Sequence, residues 1–265
     1  MKIAIAGKGG VGKTVIASGI AWSLARAGYT TLAIDADASP NLALSLGLSQ
    51  EEAARIVPIL ENDELIRIKT GTDFSGVYNL NFSVDDIVRD FSIPTPAGVH
   101  LLVMGAVKSM GSGCACPGNS LIRALLRHLV VERDEVVVLD MEAGVEHLGR
   151  GTAEAVDWML VVSDANKKSL ITAATIANIA REAGISHIAM VGNRIGNGAQ
   201  KDIISTFADQ HDLPLLGAVP FDCAVVQAGI NGSSILTLDG TSAFRAIEKI
   251  TCQLTPVTMN EAINK

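Results

Sequence analysis

Short runs of consecutive apolar residues recur along this chain, separated by longer stretches in which apolar positions return every three or four residues. The runs fall at Lys2–Ala6, Thr31–Ile34, Val99–Met104, Val136–Leu139, Met159–Val162, Ile188–Val191 and Leu215–Ala218. They read as strands covered on both faces, because such strands are apolar throughout instead of alternating. The periodic stretches predict helices over Val15–Ala27, Leu121–Val131, Ser169–Ala183 and Gln200–Asp212. Strand and helix in alternation predict an α/β fold, one mostly parallel sheet with helices on both faces. Ligands of such a sheet gather at the carboxyl ends of its strands. The rhythm breaks from Gln50 to Gly98, where charged helical pattern mixes with polar and Pro-containing stretches such as TDFSGVYNLNF and SIPTPAG. We expect an elaboration of the sheet there, one domain over residues 1–265, and a polar tail after Leu254.

Composition sharpens this picture in three places. Hydrophobic residues make up 48% of the chain and mean hydropathy is +0.34, which by itself could suggest a membrane protein. Yet charges interrupt every apolar run well short of the ~18 residues that span a bilayer, so buried parallel strands account for the hydropathy. The first residues enter a core strand without the pattern of a signal peptide, and a cytoplasmic protein is expected. The net charge of −7, with no basic run, argues against nucleic acid as a partner. Four cysteines in a chain expected in the cytoplasm point to metal ligands, redox groups or core residues before disulfides. Of these, Cys223 and Cys252 have no neighbour in sequence and are expected in the core.

The candidate chemistry begins directly after the first strand. Gly7 to Thr14 reads GKGGVGKT, a G-x-x-x-x-G-K-[ST] match set between a strand and a helix. Gly7, Gly9, Gly10 and Gly12, with Val11, let backbone N–H groups turn inward around phosphates, and the helix from Val15 adds the positive end of its dipole. Lys13 can neutralise phosphate charge, and Thr14 can offer its hydroxyl to Mg²⁺. Val136–Leu139 followed by Asp140 has the form of a strand whose terminal carboxylate contacts magnesium. Two more carboxylates, Asp35 and Asp37, end the second strand beside this loop, where they serve the site or only cap a turn. Gly113-Cys-Ala-Cys-Pro117 places Cys114 and Cys116 one residue apart, just before the helix predicted from Leu121. Two thiolates are half of a four-ligand site, which a two-fold axis between copies would complete. Buried cysteines, or a strained reversible disulfide, are the other readings of that spacing.

Lys8, directly after the first glycine, resembles the signature lysine of the deviant Walker A ATPases, which reaches across a dimer to the partner's nucleotide. DADASPN from Asp35 resembles their switch I. That resemblance gives Asp37 the orientation of the attacking water and Asp35 support of the metal or the loop. Met141-Glu-Ala-Gly144 resembles switch II, with Gly144 as γ-phosphate sensor. Asn193-Arg194 and Pro220-Phe221-Asp222 resemble the two loops that hold adenine. GKGGVGKT, DADASPNL, VGNRI and the unbroken block from Met110 through GCACP to DMEAGVEHLGRGTA together resemble the CooC-type maturation ATPases of nickel carbon monoxide dehydrogenase and acetyl-CoA synthase. Membership implies an ATP-hydrolysing homodimer with ATP or ADP and Mg²⁺, carrying Ni²⁺, or Zn²⁺ as stand-in, at interface cysteines. The stretch Asp164-Ala-Asn-Lys167-Lys168 departs from that pattern. Two relatives with the same loop stay in view. A MinD- or ParA-type positioning ATPase needs a membrane-binding tail or a basic surface, and TPVTMNEAINK offers neither. An iron–sulfur reductase of the nitrogenase iron-protein type takes a cluster cysteine from switch II, and Asp140 to Gly151 contains none.

Overall fold

A computed structural model describes residues 1–37, 40–71, 85–105, 135–141 and 156–254. Eight strands form one sheet: β1 (Lys2–Ala6), β2 (Thr31–Ala36), β3 (Ile93–Pro94), β4 (His100–Val103), β5 (Val136–Met141), β6 (Trp158–Ser163), β7 (His187–Ile195) and β8 (Leu215–Pro220). Their spatial order is β3-β4-β2-β5-β1-β6-β7-β8. Every neighbouring pair is parallel except β3 with β4, so the α/β architecture read from the pattern is present. The seven strands read from sequence are all there. The two-residue β3 is an addition at the edge.

Among the described residues the α-helices are α1 (Lys13–Arg26), α2 (Leu42–Ser45), α3 (Gln50–Ala54), α4 (Asp63–Thr70), α5 (Asp85–Phe91), α6 (Lys167–Glu182), α7 (Gly198–Gln210), α8 (Cys223–Asn231) and α9 (Ser242–Leu254). Strand periodicity sorts the core into two layers. Ile3 and Ile5 of β1 join Ile16 and Ile20 of α1 and Phe244 and Ile247 of α9 on one face. Ala4 and Ala6 join Ala173 and Ile176 of α6 and Ile87 of α5 on the other. The Gln50–Gly98 region therefore contributes helices to this second layer, with Leu65 of α4 and Ile87 and Val88 of α5 in its core. The predicted helix over Leu121–Val131 and the tail after Leu254 lie outside the described residues. Among those residues, no helix is long and apolar enough to cross a membrane.

One sequence expectation is overturned. Cys223 is exposed and Cys252 only partly buried, because they occupy solvent-facing positions of α8 and α9. A cysteine without partners in sequence is read as core from its residue-type average, and helix phase overrides that average here.

Candidate functional site: a glycine loop, two buried carboxylates and an adjoining cavity

The loop that leaves β1 is shaped by two close approaches. A Cβ on Gly7 would stand 2.3 Å from the carbonyl oxygen of Val162 in β6, so only glycine lets the loop leave the sheet there. Gly12 has φ +92° and begins α1 as its N-cap without any side-chain capping bond. The first N–H groups of α1 are thus left to a ligand, which is the arrangement that holds phosphate at a helix N-terminus. Lys13 is buried on the first turn, while Lys8 is half-buried and Gly9 and Gly10 are exposed at the loop's crest.

Register then brings the carboxylates together. Asp35 of β2 stands opposite Asp140 of β5, and Asp140 also pairs with Ile5 of β1, one strand from the loop. Both carboxyls are buried, at 0% and 1% exposure. Asp35 accepts hydrogen bonds from the backbone N–H of Leu42 at 2.8 Å and of Asp37 at 3.2 Å. Its burial pushes the carboxyl up, and those two backbone donors oppose the rise. Asp35 therefore ties down the segment from Asp37 to Leu42 that follows the strand. Asp37 itself is half-buried at the strand end.

Asp140 is different. Burial pushes its carboxyl up to about 7, with the Thr14 hydroxyl bonding it and opposing the rise, and the charge of Asp35 adding to it. Its Oδ1 is buried with no hydrogen-bond partner among the described residues. A lone buried carboxylate oxygen is costly unless something completes its coordination. With the Thr14 hydroxyl beside it and the glycine loop adjacent, a hard oxygen-seeking cation fits this donor set. Thr14 and Asp140 are the two side chains whose oxygens meet here, and Asp35 and Asp37 stand on the neighbouring strand end.

Across the sheet, β7 and β8 end in a cavity of about 340 Å³ that adjoins the phosphate loop at Gly12 and Val15. Asn193, Arg194, Pro220, Phe221 and Asp222 all line it, so the structure gathers these five sequence candidates at one place. Arg194 has φ +57°, a backbone conformation that turns the chain at the strand's end. The carboxylate of Asp222 is committed elsewhere: it accepts from Ala224 N–H at 2.9 Å, Ser242 Oγ at 2.7 Å and Ala243 N–H at 3.2 Å. Those bonds, the Ser242 hydroxyl foremost, hold its carboxyl below the usual range. Asp222 thus caps α8 and braces the start of α9, and it serves the cavity by placing Pro220 and Phe221. The apolar wall from Val225, Val226 and Ile230 of α8 went unread in the sequence, because α8 joins the site only through the fold.

Two expected features cannot be placed. Gly144, Cys114 and Cys116 lie outside the described residues. Among the described residues, no group of three His, Cys, Asp or Glu side chains is arranged to hold a metal.

A glycine loop on a helix N-terminus, a half-buried threonine hydroxyl against a buried aspartate and an adjoining cavity, all at the carboxyl edge of a parallel sheet, define a P-loop ATPase. The chain belongs to the family of the CobQ/CobB/MinD/ParA nucleotide binding domain, whose model matches residues 2–235. It is 44% identical over 240 residues to the carbon monoxide dehydrogenase accessory protein CooC of Rhodospirillum rubrum, covering 90% of each chain. An uncharacterized ATP-binding protein of Methanocaldococcus jannaschii is 40% identical over 253 residues, covering 94% of this chain and 96% of that one. Among solved structures, the septum site-determining protein MinD of Pyrococcus horikoshii, complexed with Mg-ADP, superposes with a TM-score of 0.67 at 19% identity. That superposition covers 97% of this chain and 96% of the other, and it speaks to the fold alone.

Proposed function

We propose that this protein is an ATP-driven metallochaperone that works as a homodimer and delivers nickel to carbon monoxide dehydrogenase, or to acetyl-CoA synthase, during maturation. The observation that carries this reading is the 44% identity with CooC over 90% of both chains. The C-x-C motif inside the quoted block adds to it. Nickel is cargo here, with zinc able to stand in, and Cys114 and Cys116 of two copies supply a four-thiolate site between them.

The reading gives each part of the site a role. The loop N–H groups and Lys13 bind the β- and γ-phosphates, and the cavity at Asn193, Arg194, Pro220 and Phe221 takes the base. Thr14 and Asp140 would hold magnesium, which would supply positive charge to the transferring phosphoryl group. Asp37 orients the attacking water, from a segment that Asp35 pins through its two backbone bonds. Lys8 reaches the partner's nucleotide and Gly144 reports the γ-phosphate, so that ATP draws the protomers together. Closure changes the spacing of the paired cysteines, and metal affinity then differs between the ATP and ADP states.

The test is equilibrium binding of nickel and zinc to the purified chain with ADP, with a non-hydrolysable ATP analogue, and without nucleotide. One metal per dimer is expected, with an affinity that changes between nucleotides and is lost in Cys114→Ser while ATP binding persists. Metal binding that ignores nucleotide, or survives that substitution, would overturn the proposal and leave an ATPase with another client.

A further inference from the structure

The side chain of Asn193 does more than line the base cavity. Its Nδ2 donates to the carbonyl oxygen of Val11 in the phosphate loop at 2.7 Å, a buried bond between residues 182 positions apart. A carbonyl can only accept, so this partner fixes which way the amide faces. The next loop residue is fitted to the same contact, since a Cβ on Gly12 would stand 2.4 Å from that Nδ2. Asn193 is 6% exposed, and both it and Gly12 line the cavity that takes the base. One N–H of the amide is thus spent on the loop, leaving a second N–H and Oδ1 for a ligand edge.

We propose that Asn193 is a positioning residue for the phosphate loop, and that base occupancy and loop geometry are coupled through this one amide. The Val11–Gly12 peptide sits where the loop turns into α1, so pinning its carbonyl sets the direction of the N–H groups that follow. A base bonded to the free half of the amide restrains the side chain further and stiffens the loop on which its own phosphates rest. Without the clamp, the loop must be ordered by the phosphates alone, at a cost taken from their binding. The inference rests only on the ATP-binding half of the function proposed above.

A ligand with no base separates the clamp from base reading. Affinity for magnesium tripolyphosphate is measured by calorimetry in the intact chain and in Asn193→Ala and Asn193→Leu, neither of which adds charge. A reader of the base alone leaves this probe untouched. The clamp predicts a loss of about tenfold in both variants, the scale of one buried hydrogen bond, and a larger loss for ATP. In the unaltered chain, millimolar adenosine, which carries no phosphate, is expected to slow hydrogen exchange at the amides of residues 8–13. Unchanged tripolyphosphate affinity in a folded variant, or unchanged loop exchange with adenosine, overturns the proposal. If the unaltered chain binds neither ATP nor tripolyphosphate, the ATPase reading falls instead.

Discussion

Two carboxylates face each other across β2 and β5, and their surroundings assign them different work. Asp35 is satisfied by the backbone it braces, whereas Asp140 Oδ1 is buried without a partner among the described residues. The Asp140 carboxyl, at about 7, is raised above its ordinary 3.8. The folded chain therefore holds this proton more tightly than the unfolded chain does. Its effect on stability is most favourable below about pH 4, declines as pH rises, and reaches its full penalty above about pH 7. Asp140→Asn should flatten that decline, by an amount on the order of a few kcal/mol across the window, in thermal melts of the nucleotide-free protein. Asp35 leaves some slope behind, because its carboxyl is raised too. In the unaltered chain, Mg·ATP affinity should climb as pH rises toward 7, since the cation competes with the proton. A variant whose melting still follows pH as steeply as the parent would show that the slope comes from elsewhere. The candidate residues around this pair were legible because they end strands, and strand ends are where apolar runs stop. What sequence could not supply was the asymmetry between the two, which depends on Leu42 folding back onto one of them.

At the scale of elements, the helix behind the phosphate loop is unusual in being buried nearly all round. α1 reads KTVIASGIAWSLAR, and every residue from Ile16 to Leu24 is buried. It packs on the sheet and is closed from behind by α9, where Gly19 lets Ile247 come so near that a Cβ would lie 2.9 Å from its Cγ2. Phe244 of α9, fully buried, lies with its ring centroid 4.5 Å from that of Trp22, and Arg26 sits 5.0 Å over the Trp22 ring. Phe244→Ala should cost about 3–5 kcal/mol in urea unfolding, from lost burial plus the cavity left behind. Phe244→Leu should recover most of that loss. A cost under about 1 kcal/mol for the alanine variant would mean that α9 is not what holds the loop helix. Neither α8 nor α9 is among the helices singled out by the pattern. For α9 the signal was present: Ala243, Phe244, Ile247, Ile250, Thr251 and Leu254 repeat at helical spacing and are the residues it buries. For α8 it was weak, because CAVVQAGIN buries only Ala228 and turns Val226 and Ile230 outward beside the cavity next to the loop. Periodicity reports a face covered by the chain's own core. It is silent about a face that lines a site.

For the whole molecule, the described surface leaves the loop's second lysine in an informative place. Lys13 is buried on α1 beside the carboxylates, while Lys8 is half-buried at the crest next to exposed Gly9 and Gly10. Its ammonium makes no ion pair among the described residues. On the function proposed above, the two lysines of this loop divide the work: the inner one meets the protomer's own phosphates, and the outer one meets charge brought by another surface. If that surface is a second copy with ATP bound, the two roles separate on substitution. Lys8→Ala should keep ATP affinity within about threefold, since the loop amides, Lys13 and the base cavity are untouched; a surface charge contact contributes about 1 kcal/mol or less. The same variant should stay monomeric with ATP in sedimentation velocity, where the parent becomes a dimer, and its hydrolysis should fall by about 10²-fold or more, as when one transition-state charge contact is removed. Lys13→Ala supplies the contrast, losing nucleotide binding first and dimerisation only as a consequence. An ATP-dependent dimer in Lys8→Ala with undiminished turnover would show that the crest lysine is a solvated loop residue and that any coupling between copies runs through other contacts. A monomeric variant with full turnover would separate hydrolysis from assembly, and would move the cross-subunit step out of the chemistry and into metal handling alone.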